Sequence, residues 1–171
     1  MQLQSLKDLF IFRLNQTLSA EKGAQQLFQE LTTDARSPQV KDALERHANV
    51  IGTQISHLEQ CLRTVGAQPT PVSNYVIEGM LKEVGEFKRQ NPSVEAFDLY
   101  RLGTGIKLAF LKIGTYHVLM REARALGEQD CVRILEGDLR EMEDRANKVV
   151  DLVTQIGQQW GGGRGPSMGM R

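Results

Sequence analysis

Neither sign of charge predominates in this sequence: 21 lysine and arginine side chains face 21 aspartates and glutamates, and the sequence pI lies near 6.8. The overall field therefore draws the chain toward neither nucleic acid nor an anionic membrane. Long apolar runs are missing too, and none approaches the roughly 18 residues of a membrane-spanning helix. The opening MQLQSLKDLF has no basic region followed by a continuous apolar core, so no secretory leader is expected. Cysteine is scarce. Cys61 and Cys131 stand far apart and form no CxxC pair. They are expected to be reduced, buried thiols of a cytoplasmic protein, with a disulfide as the less favoured alternative. No stretch alternates with the period of two that marks a half-buried strand.

What is present is helical spacing. Phe10, Leu14, Leu18, Ala24, Phe28 and Leu31 follow one another by threes, fours and their sums, which stacks them on one helix face. Glu21 falls inside that stripe. A carboxylate facing a core must be neutralised, paired or bound to a metal, because burying it alone is too costly. The spacing predicts a first helix over residues 5–33 and a second from the Ser37-Pro38 start to Gly66, carrying Leu44, His47, Ile51, Leu58 and Leu62 inward. GAQPTPV (66–72) is stiffened by Pro69 and Pro71, and a short helix follows over 74–89. A third long helix spans 94–126, with Leu102, Ala109, Phe110, Ile113 and Tyr116 on its expected inner face. A fourth runs over 129–156. Gly103, Gly105 and Gly114 weaken the third long helix, and are tolerable where another helix approaches closely.

Four long helices joined this way lie side by side. The expected fold is all-α: a ferritin-like four-helix bundle over residues 1–157, with a long crossover carrying a short extra helix. Residues 158–171, rich in glycine, are expected to form a flexible tail that offers a possible contact for a protein partner. Arg164 and Arg171 give it too little charge for a nucleic-acid arm. Phe10, Ile11 and Phe12 are consecutive and cannot all face one core, so an exposed apolar cluster and a homodimer are expected. Among the histidines, His47 is expected in the core, His57 at the surface and His117 partly buried.

Five short motifs, taken in their order and spacing, add a resemblance. SAEK (19–22), EGML (78–81), GTY (114–116), LG (126–127) and LEGDLREME (135–143) resemble the YciE/YciF-type bacterial stress proteins. The resemblance covers residues 1–156 and implies a ferritin-like bundle with a two-metal site drawn from all four long helices. Glu21 matches its first-helix ligand, Glu141 a last-helix carboxylate, and Glu78 a glutamate of the short helix. The second-helix Glu-x-x-His falls on Asn49 to Gly52, the third-helix glutamates on Ala109 and Lys112, and a further aspartate on Ala146.

The expectation is therefore a degenerate, metal-free site in a non-enzymatic structural or stress-associated protein. A core charge cluster of Glu21, Lys112, Glu141 and Arg145 would stand in the place of metal. Arg145 lies four residues after Glu141, the spacing that brings helical side chains together. The rival expectation is an iron- or manganese-binding oxidase or storage protein using Glu21, His47, Glu78 and Glu141.

Overall fold

The computed structural model describes residues 3–162. Among them are five helices and no strand: α1 (Leu6–Thr32), α2 (Pro38–Thr64), α3 (Tyr75–Lys88), α4 (Val94–Leu126) and α5 (Gln129–Gly162). The caps follow from local chemistry. Ser5 accepts from the Asp8 amide while Asp8 accepts from that of Ser5, a reciprocal pair that satisfies two orphan donors of α1. Ser37 and Ser93 cap α2 and α4, and Asn74 accepts from the Ile77 amide to cap α3. Gly127 ends α4 with φ of +76°, a left-handed conformation that only glycine adopts without strain.

α1 packs against α2 and α4, α5 packs against α4 and α2, and α3 lies against α1 and α4. The buried side chains form two apolar clusters. One is built around Phe10, Leu14, Leu58, Tyr116 and Leu135, the other around Leu27, Phe28, Leu44, Ile51 and Leu102. Buried polar groups interrupt the core where the two clusters adjoin.

A second buried polar feature fixes how α4 sits against the α1–α2 connection. Arg101 Nη1 donates to Asp98 Oδ1 at 2.8 Å and Nη2 to the Thr33 carbonyl at 2.8 Å, while Asp98 Oδ2 accepts from the Ser37 amide at 3.2 Å. The guanidinium lies 3.8 Å from the centre of the Phe97 ring. One ion pair thus satisfies a carbonyl at the end of α1 and an amide at the start of α2, holding both to α4.

Several expectations are corrected. α5 continues through residues 158–162, which are helical rather than part of a tail. A lone Gly157 costs about 1 kcal/mol of propensity, too little to stop a helix already propagating from its packed part. The rest of the expected tail, 163–171, lies outside the described residues. Phe110 is exposed, and Leu108 and Leu119 are buried in its stead. α4 is apolar on more than one side, so spacing alone does not single out its inner stripe. Gly105 does face close neighbours, with Phe28 and Leu44 each 3.7 Å from where its Cβ would lie, but Gly103 and Gly114 have open space there. Phe10 is fully buried, and Ile11 and Phe12 are half-buried rather than an exposed cluster.

Candidate functional site

The functional question posed by Glu21 has a geometric answer. Leu18 and Ala24 bury the same face of α1, which carries Glu21 into the interior with its side chain 0% exposed. Lys112 of α4 reaches it: Nζ stands 2.7 Å from Glu21 Oε2, with the lysine side chain only 11% exposed. The same ammonium donates to Gln54 Oε1 of α2 at 2.7 Å. Tyr116, one turn beyond Lys112, donates its hydroxyl to Glu21 Oε1 at 3.2 Å. Three helices therefore meet in one ion-paired knot. Burial pushes the Glu21 carboxyl above its usual range, and the Lys112 charge opposes that shift. Burial, then the Glu21 charge, raises the Tyr116 hydroxyl well above its own range.

A second dyad lies beside this knot. His57 Nδ1 donates to Asp138 Oδ1 at 2.8 Å, linking α2 to α5. The Asp138 side chain is 6% exposed, and its Oδ2 is buried without a hydrogen-bond partner among the described residues. Burial raises the Asp138 carboxyl, opposed chiefly by His57. The imidazole opens onto a groove of about 410 Å³ that Glu141 and Arg133 also line.

Glu141 does not join Glu21. Its side chain is 64% exposed and pairs with Arg145 Nη2 at 2.6 Å along the outside of α5. Leu135, Asp138 and Met142 define the inner face of α5, and Glu141 lies off its edge. The expected four-membered cluster is therefore two separate pairs, Glu21–Lys112 inside and Glu141–Arg145 outside. Glu78 is exposed, because α3 turns Ile77, Met80 and Val84 inward and residue 78 points elsewhere. Asn49 and Gly52 are also exposed, since α2 buries Ile51, Gln54 and Leu58. Ala109 and Ala146 are buried but bring only methyl groups. His47 is half-buried, stacked on Phe28 with ring centres 5.6 Å apart, and Nδ1 lies 3.2 Å from the Ala43 carbonyl oxygen. Burial holds its pKa below the usual range.

A small void of about 20 Å³ touches Ala109, Lys112, Gln54 and His47, room for about one water. Among the described residues, no three His, Cys, Asp or Glu side chains are grouped so as to hold a metal ion.

Spacing does not single out Gln54, and His57, expected at the surface, is half-buried against Asp138. Gln54 lies three residues after Ile51 and four before Leu58, inside its stripe as Glu21 is inside its own, three residues from both Leu18 and Ala24. Asp138 stands likewise between Leu135 and Met142. That signal was available in the sequence.

Comparison with known proteins agrees with the fold. Residues 5–160 match the family described as Domain of unknown function (DUF892). The protein YciF of Escherichia coli (strain K12) is 24% identical over 154 residues, covering 90% of this chain and 93% of YciF. The crystal structure of that E. coli stress protein superposes with a TM-score of 0.85 at 22% identity, over 90% of this chain and 98% of the other. The structure of YcfI from Rhodopseudomonas palustris gives 0.82 at 24% identity, over 86% and 94%. A ferritin-like, diiron-carboxylate protein from Bacillus anthracis (strain Ames) gives 0.67 at 14% identity, over 88% and 99%. Among the described residues no helix is long and apolar enough to cross a membrane. With the match spanning nearly its whole length, the chain belongs to the DUF892 family and is of the YciF type.

Proposed function

We propose that this protein is a non-enzymatic, stress-associated structural protein: a ferritin-type four-helix bundle, with α3 in its crossover, whose core is closed by an internal salt bridge in place of a metal pair. A ferritin-type two-metal site takes a glutamate from each of two helices and a Glu-x-x-His from each of the other two. On that pattern α1 offers Glu21, α4 offers Lys112, α2 offers Gln54-x-x-His57, and α5 offers Asp138-x-x-Glu141. The carrying observation is the position of Lys112 Nζ, 2.7 Å from both Glu21 Oε2 and Gln54 Oε1. A fixed ammonium between these acceptors repels a divalent ion, and Gln54 is an amide where a charged donor is wanted. The residues present do not fit a binuclear centre. The link to stress rests on family membership and on what is said of YciF.

The rival is a protein that binds iron or manganese at a reduced site. It draws support from the dyad of His57 and Asp138 with its unpartnered Oδ2, not from Glu78 or His47. Elemental analysis separates the two. Protein purified from cells grown with excess iron and manganese is expected to hold neither metal, and to consume no oxygen on addition of ferrous iron. Near-stoichiometric metal overturns the proposal in favour of the rival.

Pairing of two copies is part of the proposal. Phe110, Leu111 and Val118 on the outside of α4, with Tyr75 and Val76 at the start of α3, are exposed apolar side chains suited to such a contact. Light-scattering mass in solution tests it.

A further inference from the structure

Cys61 and Cys131 are 70 positions apart in the chain and meet in the core. Cys61 lies in the last turn of α2 and Cys131 in the first turn of α5. Both are fully buried among the apolar side chains of one cluster. Cys131 Sγ donates to the carbonyl oxygen of Cys61 at 3.7 Å, which sets the two residues side by side.

The pair is asymmetric. Cys131 sits at a helix N-terminus, where the backbone dipole favours a thiolate. The neighbouring Cys61 thiol holds the Cys131 thiol below its usual range, against burial and the charges of Glu128 and Asp130. The Cys131 thiol alongside, with burial, pushes Cys61 upward. Its place in the first turn of α5 makes Cys131 the readier of the two to attack, with Cys61 as the resolving cysteine.

We propose that Cys61 and Cys131 are a redox-active pair that closes into an intramolecular disulfide between the end of α2 and the start of α5, with Cys131 oxidised first. The oxidant is a hydroperoxide, with hydrogen peroxide the simplest. The Cys131 thiolate attacks one peroxide oxygen, the O–O bond breaks, and hydroxide leaves, giving a sulfenic acid. The sulfur of Cys61 then attacks that of Cys131, the S–S bond forms, and a second hydroxide leaves. With the two thiol protons, one peroxide is reduced to two waters and two thiols are oxidised by two electrons. The bond requires the sulfurs to close to about 2.05 Å, between the last turn of α2 and the first turn of α5. Burial makes the reaction slow, since peroxide gains entry only when those turns open.

The test uses the full chain, reduced, then exposed to hydrogen peroxide and alkylated with iodoacetamide in denaturant. The expected result is loss of both alkylation adducts and recovery, without reductant, of the Cys61 and Cys131 peptides as one linked species from monomeric chain. Dithiothreitol restores both adducts. In Cys61→Ser, dimedone traps a sulfenic acid at position 131; in Cys131→Ser, no dimedone adduct forms at position 61. Full retention of both adducts after peroxide overturns the proposal, as does linkage between chains only, or oxidation of both sulfurs to sulfinic acid without linkage. The reverse dimedone pattern overturns the order of oxidation. Should either serine variant lose its helical circular dichroism, the wild-type peptide result decides.

Discussion

Replacing Lys112 with methionine isolates the energetics of the core. At 2.7 Å, two unit charges attract by roughly 6 kcal/mol at an effective dielectric of about 20. Desolvation of both groups offsets most of that gain, so the pair contributes little net stability over an apolar equivalent. Removing one partner is a different matter, because Glu21 stays buried with its charge uncompensated. Such removals typically cost about 3–5 kcal/mol, a large part of a total stability of about 5–15 kcal/mol. With a urea slope of about 3 kcal/mol per molar for a chain of this size, the midpoint at pH 7 should fall by about 1–1.7 M.

The sign with pH follows from the raised Glu21 carboxyl. A carboxyl whose folded pKa exceeds its unfolded value binds its proton more tightly when folded, so its favourable contribution is present at low pH and is lost as pH rises through the folded pKa. Lys112→Met removes the charge that opposes the shift and raises that pKa further. The deficit should therefore be largest at neutral pH and shrink on acidification, as Glu21 becomes neutral. The double variant Glu21→Gln/Lys112→Met retains an acceptor for Tyr116 and should regain at least half of the loss. The reasoning is refuted if the single variant loses less than about 1 kcal/mol at pH 7, or if the double variant is no more stable than the single.

Two further outcomes are expected. Asp138→Asn removes a buried carboxyl whose pKa burial raises, so the difference in urea midpoint between variant and wild type should move in the variant's favour as pH rises from 3 to 7. Gly103→Ala should stabilise the protein by up to about 1 kcal/mol in the same assay, because a Cβ there meets nothing within 4 Å. A loss of stability would show that residue 103 approaches something outside this chain.

Most helices were legible because they state their own limits: Ser5, Ser37 and Ser93 before the first turns, Gly127 after α4, and apolar steps of three and four between; the end of α5 carries no such mark. Glu21 was legible for the same reason, as a charge out of place on an apolar stripe. The other members of the site were harder. Assigning α2 by likeness of short motifs shifted attention to Asn49 and Gly52, whereas the stripe of α2 itself points to Gln54. Glu141 attracted notice through its neighbour Arg145, yet a pair four residues apart forms as readily on a solvated face as in a core. The Asp98–Arg101 pair left no such mark, because its acceptors are the Thr33 carbonyl and the Ser37 amide, and backbone groups have no letter in a sequence.

The meeting of Lys112 with Glu21 and Gln54 also governs alignment. Apolar helices tolerate sliding past one another, since one leucine fits roughly where another did. Moving α4 by a single turn along α1 would withdraw the ammonium from both acceptors at once, leaving a carboxylate, an amide and a phenol facing hydrocarbon. Each of those misplacements is penalised far more than the correct arrangement is rewarded. The knot thus acts less as an adhesive than as a key, admitting one axial setting of α1, α2 and α4 and rejecting its neighbours.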